Sequence, residues 1–337
     1  MSQQRVHTVL AGLAAVGIVI LGGCGREKPA AAGQAPAAPA AVKIAVIPKG
    51  TTHVFWKSIH AGAVKAGREL NAEVIWQGPQ KEDDRKMQIE VVQNFISRQV
   101  DAIVLAPLDD VALVTPVKTA MARGIKVAII DSGLASEDYA SFAATDNLLG
   151  GKLAAKRLAE VMGGQGKALM LRYAEGSAST MQREQGFLEG MKEAAPGIEL
   201  VSTNQYGGVT AESAFQASQN LLTKHGEVTG IFCPNESTTF GMLRALQTAG
   251  KAGKIHFVGF DASEPLVNAL RQREIEGLTV QNPFKMGEIG VRTAVAAVRG
   301  ETVPKRIDTG VVMVTPETMD QPDTRELLSP NLDPWLK

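Results

Sequence analysis

Cysteine is scarce in this chain. Two occur among 337 residues, Cys24 and Cys233, which leaves no disulfide framework and no paired spacing for zinc. Charge is not in excess of either sign. Lys+Arg and Asp+Glu stand at 35 each, so nothing supports a nucleic-acid surface or an acidic or basic tail. The apolar run at residues 9–21 is too short for a membrane span and has the shape of a secretory signal core. Enzyme signatures are also missing: there is no G-x-x-x-x-G-K-[ST], no G-x-S-x-G and no H-E-x-x-H. The glycine cluster Gly163-Gly164-Gln165-Gly166 lies between a helix and the following strand, whereas a dinucleotide fingerprint needs strand before helix. His53 and His60 bracket a helix start and read as polar surface or pocket residues rather than metal ligands. No nucleophile has a recognisable base beside it. Catalysis, a cofactor and a bound metal are therefore not expected.

What is present fits a soluble globular protein. Hydrophobic residues make up 45% and charged residues 21%, enough to bury sizeable cores, and the length suggests two domains. Residues 1–23 carry Arg5 as their single basic residue, no acid, and the apolar run, and read as a signal peptide. They end in Leu21-Gly22-Gly23-Cys24, where small residues precede a cysteine in the manner of a lipidation site. On this reading Cys24 carries a lipid that anchors the protein to a membrane without threading it through the bilayer. Residues 24–41 then form a tether of Ala, Pro, Gly and Gln that cannot pack a core. Cys233, in an apolar strand, reads as a buried small hydrophobe.

The stretch 229–265 shows the plan of the rest. Ile231, Phe232 and Cys233 form a short apolar strand that stops at Pro234-Asn235. Phe240, Leu243 and Leu246 recur at helical spacing. A second apolar run ends on Asp261. Earlier, strands are expected at 42–47, 72–76, 101–106 and 126–131, separated by amphipathic helices. From Asp146 the plan restarts, with helices over 147–161, from Thr180, over 211–224, from Ser263 and over 285–299, and strands at 167–171, 198–202 and 277–281. Strands alternating with helices specify right-handed βαβ units and a parallel sheet covered on both faces. The fold class is α/β, with two similar doubly wound parallel-sheet lobes. Residues 320–337 read as a polar tail packing on one lobe.

Polar residues recur just past strand ends, the edge of an open parallel sheet where ligands sit: His53, Asp131-Ser132, Asn235, Asp261 and Gln281. Some could be simple helix caps. Asp146 and Asn235 suit that role, and 261–264 and 179–182 both fit capping boxes. Arg183 is different, because a cation early in a helix works against the dipole. It is expected to face a ligand oxygen and to add little to local structure. The side-chain set suits a polyhydroxylated solute. Carboxylates accept from neighbouring hydroxyls, Arg donates, and Asn or Gln do both. Phe55-Trp56 beside the first strand-end loop could pack on the C–H face of a sugar ring.

The motifs VFWKSIHAGA (54–63), TDNLLGGKLAA (145–155), QREQGF (182–187), NESTTFGMLRALQTAG (235–250) and VGFDASEP (258–265) resemble those of the ribose/galactose-type periplasmic sugar-binding proteins, the type 1 family related to the ligand-binding part of lac-type repressors. The resemblance spans nearly all of 42–315. It implies an N-terminal lobe of 42–145 plus 282–310 and a C-terminal lobe of 146–281 plus 311–319. Three hinge crossings, near 145/146, 281/282 and 310, would join them. It implies that Phe55 and Trp56 sandwich the sugar and that Asp131, Arg183, Asn235, Asp261 and Gln281 bond its hydroxyls. Three positions depart from the ribose-type pattern: His53 stands for an Asn, Ser132 for an Arg, and Met181 for a second Arg. They put ribose itself in question. No galactose-type calcium loop is apparent, and the place of the repressors' DNA-binding helices is taken by the signal and tether. The implied function is extracytoplasmic capture of a monosaccharide or related polyol by a monomer that delivers it to the membrane subunits of an ABC importer. The alternative is a sensor whose closed form docks on a chemoreceptor or sensor kinase.

Overall fold

The computed structural model describes residues 41–336. The signal peptide, Cys24 and all but the last residue of the tether lie outside them. In chain order the first half comprises β1 (Val42–Ile47), α1 (Val54–Leu70), β2 (Ala72–Trp76), α2 (Arg85–Ser97), β3 (Ala102–Leu105), α3 (Val114–Ala122), β4 (Lys126–Ile130) and β5 (Ser141–Ala144). The second continues with α4 (Asn147–Val161), β6 (Gly166–Arg172), α5 (Ala178–Ala194), β7 (Ile198–Tyr206), α6 (Ala211–Lys224), β8 (Gly230–Phe232), α7 (Glu236–Thr248), β9 (His256–Phe260), α8 (Glu264–Arg271) and β10 (Gly277–Gln281). The chain then makes α9 (Pro283–Val298), β11 (Arg306–Asp308), β12 (Val311–Val314), α10 (Pro322–Leu328) and α11 (Asp333–Leu336).

Two six-stranded sheets result, ordered β11-β5-β4-β3-β1-β2 and β12-β10-β9-β8-β6-β7. The first is parallel throughout. The second is parallel except that β12 runs antiparallel to β10 at its edge. This confirms the α/β class with two doubly wound sheets. The chain passes between the sheets three times, from β5 to α4, from β10 to α9 and from β11 to β12. The sheet β1–β5 with β11 and its helices is called the N-lobe below, and the other the C-lobe.

Strand alternation builds two cores in each lobe. In β1, Ile44 and Val46 face α1 and α9, while Ala45 and Ile47 face α2 and α3. In the C-lobe, Met170, Phe232 and Phe260 pack with α4 and α5, and Leu169, Ile231 and Phe257 with α6, α7 and α8. Cys233 is fully buried in the latter core. One close approach sets the position of α5. A Cβ on Gly151 of α4 would fall 2.0 Å from the carbonyl oxygen of Arg183, so only glycine lets α4 and α5 meet there.

Several expectations are corrected. Helix α5 begins at Ala178, and its N-cap is Ser177, without a side-chain bond; Ser179 lies inside the helix. Helix α8 is capped at Ser263, again without a side-chain bond, so Asp261 caps nothing there. Asp146 and Asn235 do cap, accepting from the amides of Leu149 and Thr238. The tail packs on both lobes. Leu328 enters the C-lobe core, whereas Arg68 of α1 donates to the Pro334 carbonyl at 2.8 Å and stacks over the Trp335 ring at 5.7 Å. Apolar side chains interleaved in an otherwise polar segment give it two anchoring faces. Among the described residues, no helix is long and apolar enough to cross a membrane.

Candidate functional site

The strand-end residues of both sheets meet in one cleft. On the N-lobe side, β1 ends at Ile47 and Lys49 follows, 3% exposed. Its Nζ lies 3.0 Å from Asp131 Oδ2 and donates to Ser179 Oγ at 3.0 Å and Ser177 Oγ at 3.2 Å. Both serines belong to the C-lobe. Asp131 follows β4 with φ 62°, a left-handed conformation that Asp tolerates better than most residues. That backbone turn places its carboxylate in the cleft wall.

His53 precedes α1 and makes no side-chain cap bond. Its Nδ1 lies 2.7 Å from Glu82 Oε1. Burial alone would lower the imidazole pKa, but the hydrogen bond and charge of Glu82 outweigh it and raise it to about 9. Burial would raise the Glu82 carboxyl, yet His53, Lys49 and the Trp56 indole bring it down to about 2. Glu82 also accepts from Trp56 Nε1 at 2.8 Å and, across the cleft, from Tyr173 Oη at 2.7 Å. Phe55 and Trp56 sit on the first turn of α1, with ring centroids 5.0 Å apart and planes at 89°. They form a corner, so the two parallel walls of a sandwich between them are not present.

The C-lobe side is built around Arg183. Its Nε donates to Asn147 Oδ1 at 2.8 Å and its Nη1 to the Pro234 carbonyl at 3.1 Å. The guanidinium lies 4.0 Å over the Phe260 ring and 3.9 Å from Asp261 Oδ2. Asp261 follows β9 with φ 69°. Its two oxygens accept from the Glu236 amide at 3.0 Å and Gln281 Nε2 at 2.6 Å. Burial pushes the Arg183 pKa down and the Asp261 pKa up, the direction that desolvation imposes on both charged forms. Asn235 lines the cleft as well as capping α7, accepting from Thr238 and donating to Ser237 Oγ at 3.1 Å.

Of the expected site residues, Ser132 alone does not line the cleft. It is fully buried behind it, where its hydroxyl accepts from the Ser179 amide at 3.1 Å. The structure adds Lys49, Glu82, Tyr173 and Glu236 to the cleft. Glu236 reaches across it, accepting from the amides of Phe55 at 3.2 Å and Val54 at 3.4 Å. A C-lobe carboxylate thus occupies the favourable anionic position at the N-terminus of an N-lobe helix. The space left among these groups is about 30 Å³, room for no more than a water or two. Among the described residues, no group of three or more His, Cys, Asp or Glu side chains could hold a metal ion.

Residues 44–302 match the model of the periplasmic binding protein domain, and the chain belongs to that family. It is 28% identical to the D-ribose/D-allose-binding protein of Pseudomonas aeruginosa, over 90% of this chain and 96% of that one. The ribose import binding protein of Escherichia coli is 28% identical over 80% of this chain and 90% of its own. Among solved structures, an ABC transporter solute-binding protein from Agrobacterium vitis with bound D-fucose is 37% identical. It matches 85% of this chain and 100% of its own at a TM-score of 0.82. A carbohydrate transporter solute-binding protein from Agrobacterium radiobacter in complex with D-arabinose is 33% identical, covering 87% and 100% at 0.83. These likenesses place the chain with the type 1 periplasmic sugar-binding proteins, as its motifs implied.

Proposed function

We propose that the chain captures a monosaccharide or related polyol between its lobes and delivers it to the membrane subunits of an ABC importer. The observation that carries this reading is an orphaned acceptor in a cleft of polar groups. Gln281 Oε1 is buried in the cleft wall without a hydrogen-bond donor, and Asp131 Oδ2 has only the Lys49 ammonium at 3.0 Å. Buried acceptors without donors are costly, and sugar hydroxyls are donors that would satisfy them. Arg183, Lys49 and Asp261 supply complementary groups. A cavity of about 150 Å³ is what holds a ring as small as benzene, so a sugar ring cannot fit the present space of about 30 Å³. Entry therefore needs the lobes 42–145 with 282–310 and 146–281 with 311–319 to part about the three links, a hinge motion. Binding, with no chemical conversion of the sugar, is the activity proposed. The import role of the E. coli relative favours transport over sensing.

The test is a thermal-shift series on the purified full chain with D-ribose, D-allose, D-arabinose, D-fucose and D-tagatose. At a hundredfold excess over Kd, a true ligand adds roughly 2.7 kcal/mol of stability. No shift with any of them would remove the sugar reading. The Leu21-Gly22-Gly23-Cys24 sequence supports a periplasmic or cell-envelope location on a lipid anchor. Wild type should partition with membranes into detergent, and Cys24→Ser should leave the protein unprocessed or soluble. Wild type found freely soluble with another mature terminus would exclude the anchor.

A further inference from the structure

A second and much larger cavity, of about 490 Å³, adjoins the cleft and shares Phe55, Asp261 and Gln281 with it. These three side chains form a partition, with charged and hydroxylated groups on one side and a mostly apolar chamber on the other. Val54 of α1, Val267 of α8 and Val280 of β10 form part of its wall. The tail lines it with Leu327, Leu328 and Leu332. Exposed Glu264, Asn268 and Arg271 add a polar wall toward solvent. The partition is not polar-saturated. Gln281 is 2% exposed, and its amide nitrogen is engaged by Asp261 while its Oε1 has no partner.

We infer that this chamber is a subsite for the apolar substituent of a glycoside whose sugar ring occupies the cleft, a reading that rests on sugar capture there. An unsubstituted monosaccharide is hydroxylated all round and gains little from aliphatic walls. A ligand with a sugar at one end and an alkyl or aryl group at the other matches both sides of the partition. A dry cavity of about 150 Å³ suffices for a benzene ring, so the chamber has room for an aryl group. The tail supplies three of the apolar walls, and its contacts with both lobes hold them in place. The sugar hydroxyls satisfy the orphaned Gln281 oxygen at the boundary between the two parts.

The experiment is calorimetry on the full chain with D-allose, D-arabinose and D-fucose, each against its α- and β-phenyl glycosides. At least one phenyl glycoside should bind about tenfold tighter than its parent sugar, the gain from burying an aryl ring. Val267→Trp fills the chamber and should abolish that gain while the parent sugar's affinity stays within about twofold. Leu327→Trp fills it from the tail side and should do the same, which covers the case of a Val267 variant that does not fold. A parent sugar that binds while its phenyl glycosides bind no tighter would overturn the inference. So would a gain that survives in both Trp variants. If neither sugars nor glycosides bind, the cleft reading has failed and the subsite falls with it.

Discussion

The two halves of the cleft use the same device and complete it differently. Each places an aspartate just past a strand in left-handed conformation, Asp131 in the N-lobe and Asp261 in the C-lobe, and each sets a buried cation beside it. Arg183 is held within its own lobe, by Asn147, the Pro234 carbonyl and the Phe260 ring. Lys49 instead takes two of its partners, Ser177 and Ser179, from the lobe opposite. Glu82 likewise receives Tyr173 from across the gap, and helix α1 receives its cap from Glu236. The C-lobe half thus holds its cation and aspartate with partners from its own lobe. The N-lobe half takes further partners for Lys49, Glu82 and helix α1 from across the gap, and it is the half that the proposed hinge motion would leave incomplete.

The largest test of this contrast is Arg183→Ala. The sequence leads one to expect that Arg183 adds little to local structure, and its buried bonds to Asn147 and the Pro234 carbonyl show a larger part. Removing it leaves Asp261 without its cation in a dry setting, so folding stability should fall by about 3–5 kcal/mol. Sugar affinity should fall by about 2–5 kcal/mol through the lost charge-assisted bond. Urea denaturation and calorimetry measure the two separately. Unchanged folding would mean that Arg183 does not hold the C-lobe half together.

Next in size is the pH dependence of the His53–Glu82 pair. The His53 pKa is raised from 6.5 to about 9, so its contribution is complete below 6.5 and is lost as pH rises through 9. The Glu82 pKa is lowered from 4.5 to about 2, so its contribution is complete above 4.5 and is lost as pH falls through 2. Both are complete between those ordinary values. The shared interaction, counted once, is on the order of 3 kcal/mol. Melting temperature should therefore decline on the alkaline side, and His53→Gln should flatten that decline. An unaltered alkaline slope in the variant would show that the pair does not carry it.

The smallest expected effect isolates the cross-lobe cap. Glu236→Ala removes the acceptor for the Val54 and Phe55 amides, a loss of about 1–2 kcal/mol that should appear in closure. Ligand affinity should drop roughly 5- to 30-fold, and small-angle scattering with ligand should give a larger radius of gyration than wild type. Wild-type compaction would mean that closure does not depend on this contact.

The repeated strand–helix order made both lobes legible, because apolar runs of fixed length carry their own signal. The edge strand β12, reading VVMV, carries the same signal although no strand is expected there. Strand β5, four residues reading SFAA, and the edge strand β11, reading RID, are too short or too polar to do so. Pairing with neighbours makes them strands. Most of the cleft was legible from strand-end polarity. The same rule extends to Lys49 after β1, Glu82 after β2, Tyr173 after β6 and Glu236 after β8. They are missed because the reading after β1 settles on His53, the reading after β8 stops at Asn235, and none is made after β2 or β6. Ser132 went the other way. Position next to Asp131 does not say which way a side chain points when the backbone between strand and loop turns through positive φ.

That positive φ also bears on how such a protein diverges. At Asp131 and Asp261, most replacements would meet a penalty of roughly 1–2 kcal/mol from the backbone alone, before any ligand is considered. Asn and Gly escape most of it. Each position can thus cheaply offer a carboxylate, an amide or nothing. Drift toward a new solute is channelled away from the two aspartates and into neighbours on ordinary backbone, such as Lys49, Tyr173 and Gln281. The aspartates would persist as fixed points while the residues around them record the lineage's change of diet.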